Sequence, residues 1–168
     1  MQIRNATETD LTAIVQIYNA AIPGRIATAD IVPVSVEDRL GWFRAHTPTS
    51  HPLWVMIGDA TVVGWLSFQL FYGRPAYQET AEVSVYVSPS YQGQGVGKQL
   101  LAQAVAQSSF LGFTTLLGFI FGHNQPSLRL FEGLGFTHWG YLPRVAKLDG
   151  IERDLAILGR RISTAKSV

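Results

Sequence analysis

The chain has no cysteine, few charged residues and no long apolar run. Without cysteine it cannot form a disulfide, a thiolate-bound zinc or iron–sulfur site, or a cysteine nucleophile. The four histidines never form a close pair or an H-E-x-x-H motif, so we expect no metal site. The chain also lacks an apolar signal segment near its N-terminus and any stretch of about 18 apolar residues. We therefore expect a cytoplasmic protein without a membrane span.

Charge is scarce and also balanced. Charged residues make up 15% of the 168 residues, against roughly 25% in typical globular proteins. Such a chain either hides part of its surface in an oligomer interface or depends on Gln, Ser and Thr for solubility. Thirteen Lys and Arg against twelve Asp and Glu give a net charge of +1, without a run of one sign. Neither nucleic acid nor an anionic membrane is therefore expected as a partner.

The order of predicted elements is typical of one mixed α/β domain spanning residues 1–168. Thr7 with Asp10, and Ser35 with Asp38, are capping signals for two early helices that follow a short first strand. Hydrophobic spacing predicts the remaining elements. These are strands at 53–57, 61–70, 82–87, 116–121, 137–141 and 154–158, and helices beginning near 97 and 126. The order is βααβββαβαββ, with residues 162–168 expected as a loose C-terminal tail.

A glycine-rich turn joins a predicted strand to a predicted helix, with the sequence Gln92-Gly93-Gln94-Gly95-Val96-Gly97-Lys98. Glycines spaced by two let the backbone aim several N–H groups at one point, and at a helix N-terminus such groups bind anions. A P-loop is excluded because Gln92 and Gln99 stand where Gly and Ser or Thr are required. The dinucleotide fingerprint is excluded because Lys98 replaces its third glycine. A tight turn without a ligand is the alternative.

Residues 92–97 match the pattern Q/R-x-x-G-x-G/A and resemble the acyl-CoA pyrophosphate loop of the GNAT superfamily of N-acetyltransferases. A second segment, from Asn124 to Phe136, resembles that superfamily's late N-x-x-S…GF motif, and the two come in the right order. The resemblance implies an α/β (α+β) fold of three layers, with a mixed, mostly antiparallel central sheet flanked by helices. It also implies acetyl-CoA as co-substrate and no metal.

Further residues resemble the phosphinothricin and methionine-sulfoximine acetyltransferase branch of this superfamily. They include Ile3-Arg4, Ile17-Tyr18-Asn19, Arg39, Trp42-Phe43, Arg74-Pro75-Ala76-Tyr77 and Asp154. The branch implies a homodimer that moves acetyl by direct attack to the primary amine of a small amino acid or analogue. Two departures lie near the expected acceptor pocket and concern the substrate rather than the fold. Glu152 stands where the branch carries tryptophan, and the segment from Lys147 to Asp154 is one residue longer.

The resemblance implies catalytic roles for two residues of one strand. Glu82 matches the proposed catalytic glutamate, which accepts the proton of the acceptor amine directly or through water. The main-chain N–H of Val85 is expected to stabilise the oxyanion, and the pantetheine arm is expected to pair with the strand near Val85 and Val87. An edge carboxylate without a role is the alternative for Glu82.

The cofactor contacts are expected from the glycine-rich turn and from the start of the last helix. Backbone N–H groups of Gln92, Gly93, Gln94, Gly95, Val96, Gly97 and Lys98 would hold the pyrophosphate, with the Lys98 side chain adding charge or remaining merely exposed. Asn124 and Ser127 are assigned to the cofactor, Asn124 as a hydrogen-bonding partner of the pantetheine arm or only as a helix cap. Phe131 occupies the place where many members carry an acidic tyrosine, and it cannot donate a proton.

Arg74, Tyr77 and Lys147 are the expected acceptor-binding residues. Arginine offers a fork of donors for a carboxylate or phosphinate, although a solvated loop arginine is the alternative for Arg74. A second hypothesis is an enzyme of the same superfamily that acetylates a protein N-terminus, a lysine or a polyamine. A third is a non-catalytic acyl-CoA-binding module, against which the presence of Glu82 argues.

Overall fold

The computed structural model describes residues 1–163, and there the helices and strands follow the predicted order. The helices are α1 (Leu11–Ala21), α2 (Val36–Arg44), α3 (Val96–Gln107) and α4 (Gln125–Gly133). The strands are β1 (Gln2–Asn5), β2 (Leu53–Gly58), β3 (Thr61–Leu70), β4 (Thr80–Val87), β5 (Thr115–Phe121), β6 (Thr137–Leu148) and β7 (Ile151–Arg161). Residues 164–168 of the expected tail lie outside the described residues, whereas the N–H of Ile162 donates to the carbonyl oxygen of Thr114 at 2.9 Å.

Within residues 1–163 the strands form one seven-stranded sheet in the order β1-β2-β3-β4-β5-β7-β6. Neighbouring strands are antiparallel except for β4 and β5, which run parallel. The mixed, mostly antiparallel sheet expected from the sequence is therefore confirmed.

Side chains alternate between the two faces of the sheet and form one hydrophobic cluster on each. On one face Phe68 packs in a cluster with Leu100 of α3 and Phe131 of α4. On the other face Trp65 packs in a cluster with Ile14 of α1. The sheet is thus covered by helices on both faces, which confirms the three-layer arrangement.

Both predicted capping boxes are present. Thr7 and Asp10 form one in a short 3-10 turn directly before α1, and Ser35 and Asp38 form the other at the start of α2. Asp10 also accepts two hydrogen bonds from the Arg4 guanidinium, at 2.7 and 2.9 Å. This pair ties β1 to the entry of α1.

The last two strands, β6 and β7, are longer than predicted. They continue to a tight turn at residues 149–150. The sequence prediction ended the first of these strands at Tyr141, two residues before Pro143. As the outer strand of the sheet, β6 tolerates proline. The pairing shifts register between Leu142 and Ala146, and Arg144 adopts a φ of +54° there, which is a bulge of the kind found on edge strands.

Candidate active site

β4 separates from β5 at Glu82, and this separation opens a gap in the middle of the sheet. Parallel pairing runs only from Thr80 with Thr115 to Glu82 with Leu117. β4 itself continues to Val87, still paired with β3 on its other side. One side of β4 therefore faces the gap over the second half of the strand.

Val85 and Val87 direct their main-chain N–H groups into this gap. The N–H of Ser88 donates to the carbonyl oxygen of Val63 on β3 at 2.9 Å. Successive residues of a strand send their N–H groups to opposite sides, so Val85 and Val87 send theirs away from β3. The backbone geometry agrees with the roles expected for these two residues, which stay predictions.

The glycine-rich turn leads directly into the N-terminus of α3. Gly93 and Gly95 have φ values of +75° and +82°, a left-handed conformation that favours glycine. No side chain caps the helix, and its first intrahelical bond runs from Gln99 N–H to the carbonyl oxygen of Gly95 at 3.0 Å. The N–H groups of the first turn are therefore without intrahelical partners. They belong to Val96, Gly97 and Lys98.

Free N–H groups at a helix N-terminus favour the binding of an anion such as a diphosphate. The helix dipole is positive at this end, and the first turn contains no acidic residue. The exposed Lys98 side chain adds a positive charge at the same place. The arrangement fits the diphosphate of coenzyme A.

Gly97 allows α3 to begin close to the gap. A Cβ atom at this position would lie 3.3 Å from Leu130 of α4, 3.6 Å from Val87 and 3.7 Å from Val85. The structure therefore brings the glycine-rich turn, the exposed edge of β4 and the second half of α4 together.

Asn124 is buried and caps α4, with its side-chain oxygen accepting from the N–H of Ser127 at 3.2 Å. Its other predicted role, at the pantetheine arm, stays a prediction.

Phe131 lies in the core, 4.9 Å from the ring of Phe136, and a Cβ atom on Gly118 would lie 2.5 Å from it. Phe131 thus contributes packing, and its ring carries no acidic proton.

Glu82 is half-buried on the face of β4 opposite to α3. Burial raises the pKa of its carboxyl group, because the charged form loses hydration. Within residues 1–163 no hydrogen bond or ion pair engages the carboxylate. A half-buried carboxylate of raised pKa beside an open gap has the properties of a general base.

Arg74 and Tyr77 lie in the loop that joins β3 to β4. This loop is at the beginning of β4, near Glu82, whereas the glycine-rich turn follows the end of β4. Arg74 caps a short 3-10 turn, and the N–H of Tyr77 donates to its carbonyl oxygen at 2.9 Å. Both side chains are exposed, and the Tyr77 ring lies 5.3 Å from that of Phe71. The loop begins two residues after Gln69, which is paired with Glu82.

Lys147 is exposed on β6, where it is paired with Glu152 of β7. In the described part of the chain no hydrogen bond or ion pair joins it to Arg74 or Tyr77. The structure thus places two of the three expected acceptor residues at the Glu82 end of β4, and the third on the outer strand.

A cavity of about 280 Å³ lies between α1, α2 and the strands β3 and β4. Ser67, Gln69 and Ser84 line its floor, and Ser84 is two residues from Glu82 on the same face of β4. Sequence reasoning gave no binding role to this region. The missed signal is the pair of polar residues Ser67 and Gln69, which alternate with apolar residues along a buried strand. On the helical side it is lined by Tyr18, Asp30, Arg39 and Trp42.

The charges at the helical side of the cavity are paired. Arg39 donates to Asp30 at 3.1 Å, and its guanidinium lies 4.8 Å from the ring centre of Tyr18 and 5.7 Å from that of Trp42. The Tyr18 hydroxyl also donates to Asp30. Asp30 therefore accepts both hydrogen bonds on its Oδ2, while Arg39 keeps further donors.

Residues 1–163 contain no group of three or more His, Asp or Glu side chains placed to hold a metal ion. In the same range, no helix combines the length and the apolar character that crossing a membrane requires.

Comparison with known proteins gives consistent results. The model of the "Acetyltransferase (GNAT) family" matches residues 13–136. The chain is 50% identical over 164 residues to a Bacillus subtilis protein named "Putative phosphinothricin acetyltransferase YwnH", covering 97% of this chain and 100% of that one. It is 32% identical to the "L-methionine sulfoximine/L-methionine sulfone acetyltransferase" of Salmonella typhimurium, covering 94% and 92% of the two chains.

A solved structure is similar over nearly the whole chain. It is a GNAT superfamily phosphinothricin acetyltransferase from Sinorhizobium meliloti in complex with AcCoA. The TM-score is 0.91 at 28% sequence identity, and the match covers 99% of this chain and 94% of that chain.

Proposed function

Because the chain belongs to the acetyltransferase (GNAT) family, we propose that Glu82 and the adjoining gap in the sheet carry its acetyl transfer. The protein is an enzyme, an N-acetyltransferase that uses acetyl-CoA to acetylate a small amino acid or analogue. Bound acetyl-CoA supplies the acetyl group as a thioester, whose carbon–sulfur bond is exchanged for a carbon–nitrogen bond to the acceptor.

The glycine-rich turn and the gap bind acetyl-CoA in this proposal. The free N–H groups at the start of α3 hold the diphosphate, and Lys98 adds charge. Val85 and Val87 pair with the pantetheine arm as if it were an added strand. Asn124 and Ser127, at the start of α4, contact the same arm.

Glu82 and Val85 perform the chemical step. Glu82 takes the proton from the acceptor amine, which must be neutral to attack. The N–H of Val85 donates to the oxygen on which negative charge develops. Because the aromatic residue at position 131 is a phenylalanine, the leaving sulfur takes its proton from water or from His123.

The acceptor lies on the Glu82 side of the sheet. Arg74 binds its carboxylate and Tyr77 closes the site beside it, whereas Lys147 lies on the outer strand β6 and takes no part. The cavity of about 280 Å³ beside Ser84 is of a size for a small molecule. This size favours an amino acid over a protein N-terminus as acceptor, and the cationic Arg74 favours an anionic acceptor over a polyamine.

The observation that carries the proposal is the unpaired, half-buried Glu82 at the point where β4 leaves β5. The test is CoA release from acetyl-CoA with a panel of amino acids and analogues, comparing the parent with Glu82→Gln. We expect kcat to fall by about 10²–10⁴-fold, with little change in acetyl-CoA binding. In the parent, activity rises with pH as Glu82 ionises, at a pH above the usual range for glutamate, because burial raises its pKa.

Glu37→Gln is the matched control, because Glu37 is an exposed carboxylate in the first turn of α2. It should keep the kcat and the pH profile of the parent. Equal activity of the Glu82→Gln variant and the parent would remove Glu82 from the mechanism. Acetyl-CoA binding without acetylation of any amine in the panel would instead favour a non-catalytic binding module.

We also propose a homodimer in the cytoplasm, where acetyl-CoA is available. The support for the dimer is the outer strand β6, which exposes Tyr141 (57%), Leu142 (41%) and Val145 (56%). Exposed apolar residues on an edge strand favour association with another chain. Sedimentation equilibrium should give twice the mass of one chain, and a monomer at micromolar concentration would refute the dimer.

A further inference from the structure

A loop segment crosses the gap between β4 and β5. In the loop that joins α1 to α2, the carbonyl oxygen of Arg25 accepts from Nε2 of His123, just after β5, at 2.9 Å. Two residues further along the loop, the carbonyl oxygen of Ala27 accepts from the hydroxyl of Tyr86 on β4 at 3.2 Å. The two donors stand on opposite sides of the gap, so the loop bridges it. We call residues 25–28 the strap.

The strap lies on the face of the sheet that carries Glu82. Tyr86 is four residues after Glu82 on β4, so their side chains share a face and stand about 13 Å apart along the strand. Val85 directly precedes Tyr86, and its N–H group is the one assigned to the oxyanion. In the proposed function the acetyl carbon lies at this N–H group, and it is therefore next to the strap.

The backbone of the strap is held in a strained conformation by distant parts of the chain. Arg25 has a φ of +56°, a left-handed conformation that is uncommon for a residue with a side chain. Its guanidinium donates to Asp149 in the turn between β6 and β7 at 2.9 Å, and to the carbonyl oxygen of Ile31 at 3.0 Å. Such strain persists where surrounding contacts impose it, and it is concentrated at functional sites. Tertiary contacts therefore fix where the strap lies.

The other end of the strap is fixed to α1. Thr28 is buried, and its hydroxyl shares a hydrogen bond with the hydroxyl of Tyr18. Between the two fixed ends, Ile26 is 37% exposed and Ala27 is also exposed. The strap is thus a single layer of chain, with solvent on one side and the gap on the other.

Each of the two donors has an aromatic ring that packs independently of the strap. The His123 ring is stacked on Phe121 at 5.6 Å, and the Tyr86 ring is stacked on Trp65 at 4.8 Å. Nδ1 of His123 has no hydrogen-bond partner within residues 1–163, so the ring makes its one described hydrogen bond to the strap. Phenylalanine at either position therefore removes the bond to the strap and can keep the stacking.

We propose that Tyr86 and His123 are positioning residues, which hold the strap across the gap and thereby keep water away from the thioester. An active site that is closed to water protects a reactive group from hydrolysis. The acceptor amine still reaches the acetyl group through the open part of the gap between Glu82 and the strap. The proposal rests on the proposed function, since it places the acetyl group at Val85.

The reaction that the strap limits is the hydrolysis of acetyl-CoA. The oxygen of a water molecule bonds to the acetyl carbon, and the carbon–sulfur bond breaks. The sulfur takes one proton of the water, the other proton is released, and the products are acetate and CoA. This reaction needs no amine, so it can be measured without an acceptor.

The test is the release of CoA from acetyl-CoA without an acceptor, in the parent, in Tyr86→Phe and in His123→Phe. We expect each variant to hydrolyse acetyl-CoA about fivefold faster than the parent, which corresponds to the loss of one hydrogen bond of about 1 kcal/mol. The ratio of hydrolysis to acetyl transfer should rise by about the same factor. The KM for acetyl-CoA should stay that of the parent.

Ser108→Ala is the matched control. The Ser108 hydroxyl also donates to a carbonyl oxygen, that of Ala104 at 2.6 Å, but it lies at the far end of α3 from the glycine-rich turn. Its loss can lower stability and should leave hydrolysis at the rate of the parent. Hydrolysis at the parent's rate in both Tyr86→Phe and His123→Phe would overturn the proposal. So would slower acetyl transfer in His123→Phe alone without faster hydrolysis, because that pattern makes His123 the proton source for the leaving sulfur.

Amide hydrogen exchange in the protein without ligand separates this proposal from the proposed function. Residues 25–30 should exchange about fivefold faster in Tyr86→Phe and in His123→Phe than in the parent, and Ser108→Ala should match the parent. If the parent acetylates no amine, the proposed function fails, while exchange and hydrolysis still test the strap. Unchanged exchange in both variants would show that the two residues do not hold the strap. Faster exchange without faster hydrolysis would show that the strap does not exclude water.

Discussion

Alanine at Gly95 should weaken coenzyme A binding far more than its effect on stability explains. Gly95 precedes α3 with a φ of +82°, and a Cβ atom there would meet only Gln99 Nε2, at 3.8 Å. The protein therefore has room for the methyl group, and the direct cost is backbone strain of about 1–2 kcal/mol. For a chain of this length this corresponds to a fall in Tm of about 2–8 °C.

The loss of affinity has a separate origin. Relief of the strain rotates the peptide after Gly95, and this rotation turns the first N–H groups of α3 away from a common point. One hydrogen bond to a charged phosphate contributes about 1.5–3 kcal/mol, so we expect Kd for CoA to rise about 10–100-fold. Isothermal titration calorimetry measures this directly.

Gly112 provides the matched control, since it has a φ of +86° and a Cβ atom there meets nothing within 4 Å. It lies beyond the other end of α3, about 18 Å along the helix from the glycine-rich turn. Gly112→Ala should therefore lose similar stability and keep the affinity of the parent. If both variants bind CoA as the parent does, the diphosphate does not lie at this turn; if both lose affinity equally, the effect is one of stability.

Two further changes probe the core and the termini of the fold. Phe131→Tyr should lower the stability by about 1–3 kcal/mol in a denaturant titration without raising kcat, because the ring is buried against Gly118; a gain in kcat would show that the hydroxyl reaches the leaving group. Asp10→Asn should cost about 1–2 kcal/mol near neutral pH. The Arg4 guanidinium lowers the pKa of Asp10, so the contribution of Asp10 to stability is present above the unfolded pKa and is lost as the pH falls through the folded pKa. The stabilities of the parent and of Asp10→Asn should therefore become equal in acid. A difference in stability that persists in acid would contradict the charge-based argument.

The parts of the site that depend on local chemistry were predictable from the sequence. The turn before α3 needs glycine at Gly93 and Gly95 because both have positive φ, and this requirement is visible in the spacing of the residues. The capping residues Ser35 and Asn124 act on N–H groups three residues away, so their pattern is equally local. Neither prediction needed knowledge of which strands pair.

The parts that depend on strand pairing were not predictable in the same way. The cavity exists because β3 and β4 place Ser67 opposite Ser84, and nothing in either segment alone specifies this register. The extension of β6 past Pro143 is another example, because it depends on β6 being the outer strand and pairing with β7. Long-range pairing decides both features, and the local sequence favours neither.

Three features of the site lower the stability of the protein when no ligand is bound, and all of them lie at or next to β4. Glu82 is desolvated without a partner, so its ionisation opposes folding: its own contribution to stability is complete below the unfolded pKa and is lost as the pH rises through its raised folded pKa. The first N–H groups of α3 have no cap, and β4 leaves its neighbour while its N–H groups still point towards it. Each cost is removed by one group of the two substrates. The acceptor amine pairs with the carboxylate, the diphosphate of acetyl-CoA binds at the helix, and its extended amide chain fills the gap. Their convergence within one strand and the turn that follows it is the physical reason to place the acetyl transfer at Glu82.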